Sequence, residues 1–482
     1  MSGTQKHYLN FAIGFIFMFF FQLLPAPAPI TPYGMKLIGI FIGIIYLWTT
    51  EDILWSSILG LVAMVCLGVF TGNELTAAAF GQSLLIMLLF VLAIIFCMDK
   101  SGLFDWIANW MLRLKFVQGR PWVLVTMLFA LVFIVTLVGN GSLIIFLIWS
   151  IIYKIGQKVG YTRENKWMAA MVVGISMTSI IGQHVLPFRP GPLYMLAVFQ
   201  QTSGIEVSAV KYILMQGLLG ICLIAVYILV MRFVLRLDVS ALKDINMEEF
   251  TGDRQPMTKV QKFLLFYLFV MVFALILPSI LSFLPKNVVT NTIGSLNTVG
   301  MSWILFVILC VLHIDGKPVL VFREIADKVL WEMLALMACA LTIAPALAGE
   351  GTGVTEALQA VLAPIFGGHG PIFFAVVLSL FCLVATNVAN NAVITMIGIT
   401  VLITYMKMGV GVNGPAVMIM LVVLINMAIL IPAASGYGAM LHSQAGMLTK
   451  GNIYKYAVLA MVCTFLVYTV IGLPLGYLIF PM

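Results

Sequence analysis

Charge is scarce in this chain. Asp, Glu, Lys and Arg make up 9% of its 482 residues and hydrophobic types 62%, far more apolar than a soluble core requires. No interval the size of a soluble domain separates the apolar stretches that recur from Phe11 to Phe480, and each span takes roughly 20 such residues. The composition therefore describes an all-α polytopic membrane protein. The first stretch, Phe11 to Leu24, runs into "PAPAP". Proline at most candidate cleavage positions makes a retained span the expectation rather than a signal peptide.

Other absences narrow the chemistry. The seven cysteines lie inside apolar runs, with no disulfide or metal-ligand spacing. A glycine-rich phosphate loop with its lysine is missing, which argues against direct ATP coupling. There is no Gly-x-Ser-x-Gly elbow and no acid near His184 to orient it toward Ser142, which argues against a membrane hydrolase. No enzymatic function and no cofactor are expected. Carboxylates are absent between Glu164 and Glu206 and after Glu356, where a proton antiporter would place one. A cation bound in the second half must use backbone carbonyls and the neutral oxygens of Thr386, Asn387, Asn390, Ser435 or Ser443, a set that suits sodium. His184 and His442 can titrate near neutrality, although a buried, hydrogen-bonded histidine is the plainer reading of each.

The net charge of +7 reads as membrane orientation, not as a nucleic-acid partner. About eleven spans are expected, with the segments 121–154 and 371–406 each returning to its own side. Twenty of the 25 basic residues then share the face of the N-terminus, taken as cytoplasmic. Lys36, Lys211, Lys286 and Lys407 fall outside with the C-terminus, and Arg189 alone remains at membrane depth. A full crossing by 121–154 would divide the basic clusters between faces.

Both returning segments contain helix-unfriendly residues at mid-depth, "VGNGS" (138–142) in the first and "ATNVANN" (385–391) in the second. Irregular backbone there is tolerated only against protein or a water-filled cavity. The halves repeat: Pro121 and Pro371 are offset by 250, Asn140 and Asn387 by 247, and Pro187 and Pro432, in Gly/Pro-interrupted spans, by 245. The first copy starts inside and the second outside. Inverted repeats of this kind place substrate at the midplane between discontinuous helices. The helix after each tip aims unpaired N–H groups at the cavity and favours an anion; Ser142 and either Asn390 or Asn391 are the expected N-caps. Arg189 offers a bidentate fork to carboxylate, sulfate or phosphate.

Two tip asparagines, each followed some 45 residues later by an interrupted span, resemble the divalent anion/sodium symporter family of the ion transporter superfamily, over nearly the whole chain. The resemblance implies eleven spans, two re-entrant hairpins, a homodimer in the lipid bilayer, and an elevator in which a transport domain slides on a scaffold. It differs in the tips: the family's Ser-Asn-Thr signatures are here Gly139-Asn140-Gly141 and Thr386-Asn387-Val388. Scaffold helices are expected over 1–120, with an interfacial helix at 102–115, and over 263–370. Transport-domain parts are expected over 121–235 and 371–482, joined by a cytoplasmic linker at 236–262. Substrate is assigned to Asn140, Gly141, Ser142, Arg189, Thr386, Asn387 and Ser435. Sodium is assigned to Gly139, Asn140, Gly182, Thr386, Asn387, Asn390 and Ala434. The function expected is sodium-coupled symport of a small anion, a di- or tricarboxylate or similar oxyanion, across the inner (plasma) membrane. An anion channel and a cation/proton antiporter are the alternatives.

The returning segments give a topological test. A single cysteine at Lys154 should be labelled from the cytoplasm only, and one at Lys407 from outside only; labelling of Lys154 from outside would mean that the first segment crosses.

Overall fold

The computed structural model describes residues 3–113, 119–243, 245, 256–282, 285–326, 329–366 and 369–481. The chain is helical almost throughout. Its first half runs α1 (Gly3–Phe20), α2 (Pro32–Thr50), α3 (Ile53–Cys66), α4 (Gly72–Ala79), α5 (Ser83–Lys100), α6 (Leu103–Leu112), α7 (Pro121–Thr136), α8 (Gly141–Lys158), α9 (Lys166–Gln183), α10 (Pro190–Ser203) and α11 (Ala209–Leu229). The second runs α12 (Lys259–Leu281), α13 (Val288–Val311), α14 (Phe322–Ala326), α15 (Trp331–Leu347), α16 (Val354–Phe366), α17 (Pro371–Ala385), α18 (Asn391–Lys407), α19 (Gly414–Asn426), α20 (Gly436–Ser443), α21 (Lys450–Leu466) and α22 (Leu473–Ile479). A two-residue β-ribbon, His313–Ile314 with Lys317–Pro318, precedes α14.

Helix starts follow local chemistry. Proline opens α2, α7, α10 and α17, where its missing N–H costs nothing and its φ is already helical. Asp52, Asn165 and Thr258 cap α3, α9 and α12 through their side-chain oxygens. Among the described residues, six helices are long and apolar enough to cross a membrane, or seven if the α16–α17 pair, turned through 105°, counts as one. Five shorter apolar helices, α3, α7, α15, α18 and α19, accompany them. Helix α13 is interrupted at Asn297, whose φ of 46° breaks the helix while its Oδ1 accepts from Val299 N at 2.8 Å.

At the centre of each half lies a helix with no lipid face. Every residue of α9 from Trp167 to Gly182 is buried, as is every residue of α19 from Ala416 to Ile425. Around α9 pack α7 and α8, and around α19 pack α17 and α18. Each pair is a hairpin whose open ends meet the same neighbour. Trp122, near the start of α7, lies 5.7 Å from the Arg232 guanidinium, and Tyr161, just past α8, is within electrostatic reach of Asp238. In the second hairpin Phe374 of α17 and Tyr405 of α18 stack 3.7 Å apart, and both meet Phe366 of α16 at 5.0 and 5.7 Å.

Contacts between loops divide into two sets. In one, His7 pairs with Glu51 at 2.6 Å, Lys100 with Glu324, and Lys259 with Asp315 at 2.7 Å, while Asn452 donates to the Glu164 carbonyl at 3.2 Å. In the other, Gln201 donates to Gln82 at 2.7 Å, Thr31 to the Gly351 carbonyl at 2.8 Å and Lys407 to the Ala348 carbonyl at 3.1 Å. The first set joins segments around the basic clusters, the second joins segments outside those clusters.

The stretch from Gly102 forms α6 as far as Leu112; residues 114–115 lie outside the described residues. Its buried face is Leu103, Phe104, Ala108 and Leu112, while Trp106 is half-buried. The Trp106 ring stacks on that of Trp110, which is exposed. Much of the linker, residues 244 and 246–255, also lies outside the described residues, and α12 takes up its last four positions.

One close approach is testable. A Cβ on Gly182 would stand 2.0 Å from Thr136 Oγ1 and 2.9 Å from the Phe133 carbonyl. Gly182→Ala should destabilise by roughly 1–3 kcal/mol through overpacking and lower the melting temperature in detergent, with a smaller loss in a Thr136→Ala background. An unaltered melt for Gly182→Ala would contradict this packing.

Candidate functional site

The first tip is the link Leu137–Asn140 between α7 and α8. Asn140 is the N-cap of α8: its Oδ1 accepts from Ser142 N at 3.0 Å. The expectation that Ser142 caps this helix is corrected, because the chain turns helical one residue after Asn140 and Ser142 is already in the first turn. Tip carbonyls with no helical partner are taken by Arg189. Its Nη1 donates to Val138 O at 2.7 Å and its Nη2 to Gly139 O at 3.0 Å, with Gln183 Oε1 at 3.5 Å. Arg189 is only 6% exposed, and its Nε–H has no partner among the described residues. Thus the forked end of Arg189 grips the hairpin, and a positive charge is fixed directly behind the tip.

In the second tip the direction of the grip reverses. Asn387, 2% exposed, accepts from Leu430 N at 2.8 Å and donates to Leu383 O at 2.8 Å and Met427 O at 3.4 Å. Here the hairpin side chain satisfies the broken span; in the first half the broken span satisfies the hairpin. Asn390 is the N-cap of α18, accepting from Ala392 N at 2.8 Å, and Asn391 is the first helical residue. The counterpart of Asn140 is therefore Asn390, at the same offset of 250 that relates the prolines, and the pairing of Asn140 with Asn387 is corrected. Thr386 corresponds to Thr136 at that offset; both are fully buried.

The interrupted spans behave differently from one another. Between α9 and α10 the chain is mostly buried: His184 Nδ1 lies 2.6 Å from Ile180 O, and the His184 carbonyl accepts from Tyr212 at 2.7 Å. Between α19 and α20, Pro432 and Ala433 are exposed, Ala434 is buried, and Ser435 caps α20 through Gly438 N at 3.1 Å while donating to Ala428 O at 2.5 Å. His442 Nε2 lies 2.9 Å from Leu430 O.

The repeats meet at Gly141. A Cβ there would stand 2.2 Å from Gln183 Nε2, 2.4 Å from the Tyr437 hydroxyl and 2.6 Å from Ser179 Oγ, so only glycine admits this contact between α8, α9 and α20. On the other side Thr386 donates to Ile425 O at 2.6 Å and Asn391 Oδ1 at 2.9 Å, and Asn391 reaches Asn426 Oδ1 at 3.4 Å. Asn426 also faces Met195 of α10 at 3.6 Å. The N-termini of α8, α10, α18 and α20 are thereby linked through side chains into one region, with Arg189 as its buried charge. The positive ends of helices favour an anion there.

Of the residues assigned to substrate, Asn140 is exposed at the first tip, Ser142 and Ser435 are half-buried, and Gly141, Arg189, Thr386 and Asn387 are buried. Among those assigned to sodium, the Gly139 carbonyl is held by Arg189, Gly182 lies against Thr136, and the oxygens of Asn140 and Asn390 serve as caps. Ser179, Gln183, Tyr437 and Asn426 were missed, since their proximity depends on contacts spanning both halves. A hollow of about 620 Å³ lies elsewhere, at the loop between Arg163 and Met447. Broken backbone and fixed charge, not volume, mark the candidate region.

Fold and discontinuities together define a polytopic membrane transporter. The family model for citrate transporters matches residues 44–425, a range that includes both hairpins, and the chain belongs to that family. Its likeness to the divalent anion/sodium symporters stays a resemblance. The fold is similar to that of MtrF from Neisseria gonorrhoeae, described with a class of antimetabolite efflux pumps, at a TM-score of 0.60 and 13% identity over 96% of this chain and 94% of that one. No curated protein matches the sequence.

The two tip asparagines are expected to differ in structural weight. Asn387→Ala removes three hydrogen bonds from a buried site and should lower stability by roughly 2–3 kcal/mol, whereas Asn140→Ala removes an exposed cap worth about 1 kcal/mol. Thermal melts of the purified variants check the order, and a larger loss for Asn140→Ala would contradict it.

Proposed function

We propose that this protein is a secondary active carrier for citrate or a related small polycarboxylate, coupled to sodium and working by an elevator movement. Membership of the citrate transporter family supplies the substrate class. What carries the reading to particular residues is the buried Arg189, held without a contacting carboxylate among the described residues where the helix N-termini are linked. A desolvated guanidinium of this kind needs an anion more than water can supply one.

In this reading Asn140, the first turn of α8 and Ser435 contact the carboxylates, and Arg189 contributes charge from behind the tip. Sodium uses the neutral oxygens around Thr386, which lie in the half of the chain that has no acid after Glu356. Such a cluster binds a hard cation through oxygen and leaves the substrate its own charge.

The elevator is supported by where the tips rest. Asn390 donates to the Trp48 carbonyl at 3.2 Å, near the end of α2, and Gly139 packs on Phe104 at the start of α6. With the basic-rich face cytoplasmic, both tips sit beside cytoplasmic helix ends, not midway along the neighbouring helices. That displacement is the one a carrier has when its site opens inward.

Reconstituted protein should accumulate or exchange labelled citrate saturably, with sodium dependence and counterflow in either direction of loading. Arg189→Ala should weaken citrate binding by roughly 1–2 kcal/mol, the scale of losing one nearby charge that does not touch the ligand, and Arg189→Lys, which keeps the charge, should weaken it less. Single-channel currents, or sodium-independent uptake with unchanged affinity in Arg189→Ala, would overturn the proposal.

A further inference from the structure

Three polar side chains from two helices converge on Gly141, and their protons do not balance. Ser179 and Gln183 stand one turn apart on α9, and Tyr437 reaches them from α20. Arg189 fixes the orientation of the Gln183 amide. A guanidinium only donates, so the amide oxygen is the atom 3.5 Å from Arg189 Nη2, and the nitrogen faces the hydroxyls. That nitrogen donates to the Tyr437 hydroxyl oxygen, to Ser179 Oγ at 3.4 Å and to the Ser179 carbonyl at 3.3 Å. Both hydroxyl oxygens thus already accept from one amide.

The two hydroxyls lie 3.3 Å apart and can share a single bond. Neither donates to a carbonyl or carboxylate among the described residues. Ser176, three residues earlier on α9, gives its proton to the Val172 carbonyl at 3.1 Å, and Ser179 has no equivalent bond. One hydroxyl proton is therefore left over. Ser179 is fully buried and Tyr437 half-buried, and an unmet donor costs least where it can still reach a polar partner. Ser179 accordingly donates to Tyr437, and the spare proton is that of the phenol. The surroundings of Tyr437 are open on the side of the first tip: Asn140, Gly436 and Ala439 are exposed, and a Cβ on Gly436 would meet nothing within 4 Å.

We infer that Tyr437 is a substrate-contacting residue, its hydroxyl donating to an oxygen of an anion that lies beside the first turn of α8. The identity of that anion rests on the carrier reading; the surplus proton does not. Both repeats then hold one carboxylate, the second through Tyr437 and the first through the Gln183 and Arg189 that stand behind it. Arg189, whose terminal nitrogens are occupied by the tip carbonyls, acts along this chain, since each donor polarises the next and leaves the phenol a stronger donor.

A tyrosine that donates and one that only packs differ in what they do to affinity. Isothermal titration of citrate at fixed sodium and pH should show Tyr437→Phe binding roughly tenfold more weakly than wild type, the scale of one hydrogen bond to a charged group. Ser179→Ala leaves the Tyr437 proton in place and should lose no more than about threefold. Replacing Tyr437 by 3-fluorotyrosine, a more acidic phenol of nearly the same size, should tighten binding at a pH that keeps it protonated, a gain that packing does not produce. Unchanged affinity in a folded Tyr437→Phe variant, an equal loss in Ser179→Ala, or binding no tighter than wild type with the fluorinated ring would overturn the inference.

Sulfate titrated in parallel separates this contact from the carrier reading. If wild type binds sulfate but not citrate, and Tyr437→Phe weakens the sulfate, the polycarboxylate reading fails and the contact stands. If wild type binds neither anion, both fall.

Discussion

Backbone amides and carbonyls at membrane depth must find partners within the protein. In this chain the requirement is sharpest at four places, the two hairpin tips and the two interrupted spans, where helical bonding stops. Each half resolves it with one long polar side chain. Arg189 reaches from the first broken span to the carbonyls of Val138 and Gly139, and Asn387 reaches from the second tip to Met427 O and Leu430 N. Fold and function share this device, since the groups that satisfy the breaks also hold the helix N-termini in place.

Using an arginine in one half and an asparagine in the other makes the site polar in the electrical sense. The first half fixes a positive charge close to the tip, while the second holds its tip with neutral oxygens and amides. In the proposed function an anion and a hard cation occupy neighbouring places, and neither hairpin nor broken span carries a carboxylate, which would be costly to desolvate there. Gly141 makes this possible, because a side chain there would separate Ser179, Gln183 and Tyr437 from α8 and the two repeats from one another.

Much of this was legible in the sequence. The hairpins could be read from polar residues interrupting apolar runs, the broken spans from Pro187 and Pro432, and the special status of Arg189 from its position outside every loop. Three features were not legible, each for a physical reason. Helix α19 is only 13 residues long and buried on all sides, so hydropathy cannot distinguish it from a membrane span. Three asparagines within five positions of the second tip, Asn387, Asn390 and Asn391, made an offset that drifts by three residues unable to choose the cap; only the backbone turn shows that Asn390 matches Asn140. Finally, Arg189 was read as a ligand-facing fork, while its terminal nitrogens face carbonyls 50 and 51 residues earlier in the chain, a contact with no local signature.

The central claim is that both tips, held by Arg189 and Asn387, form one anion-binding region. Hydrogen–deuterium exchange of the amides at 137–142 and 387–392, with and without citrate in sodium buffer, tests it most directly. Binding should slow exchange at both tips together, because the first turns of α8 and α18 lie in the same linked region. Protection confined to the loop hollow near Arg163, or no change at either tip at saturating citrate, would contradict the account.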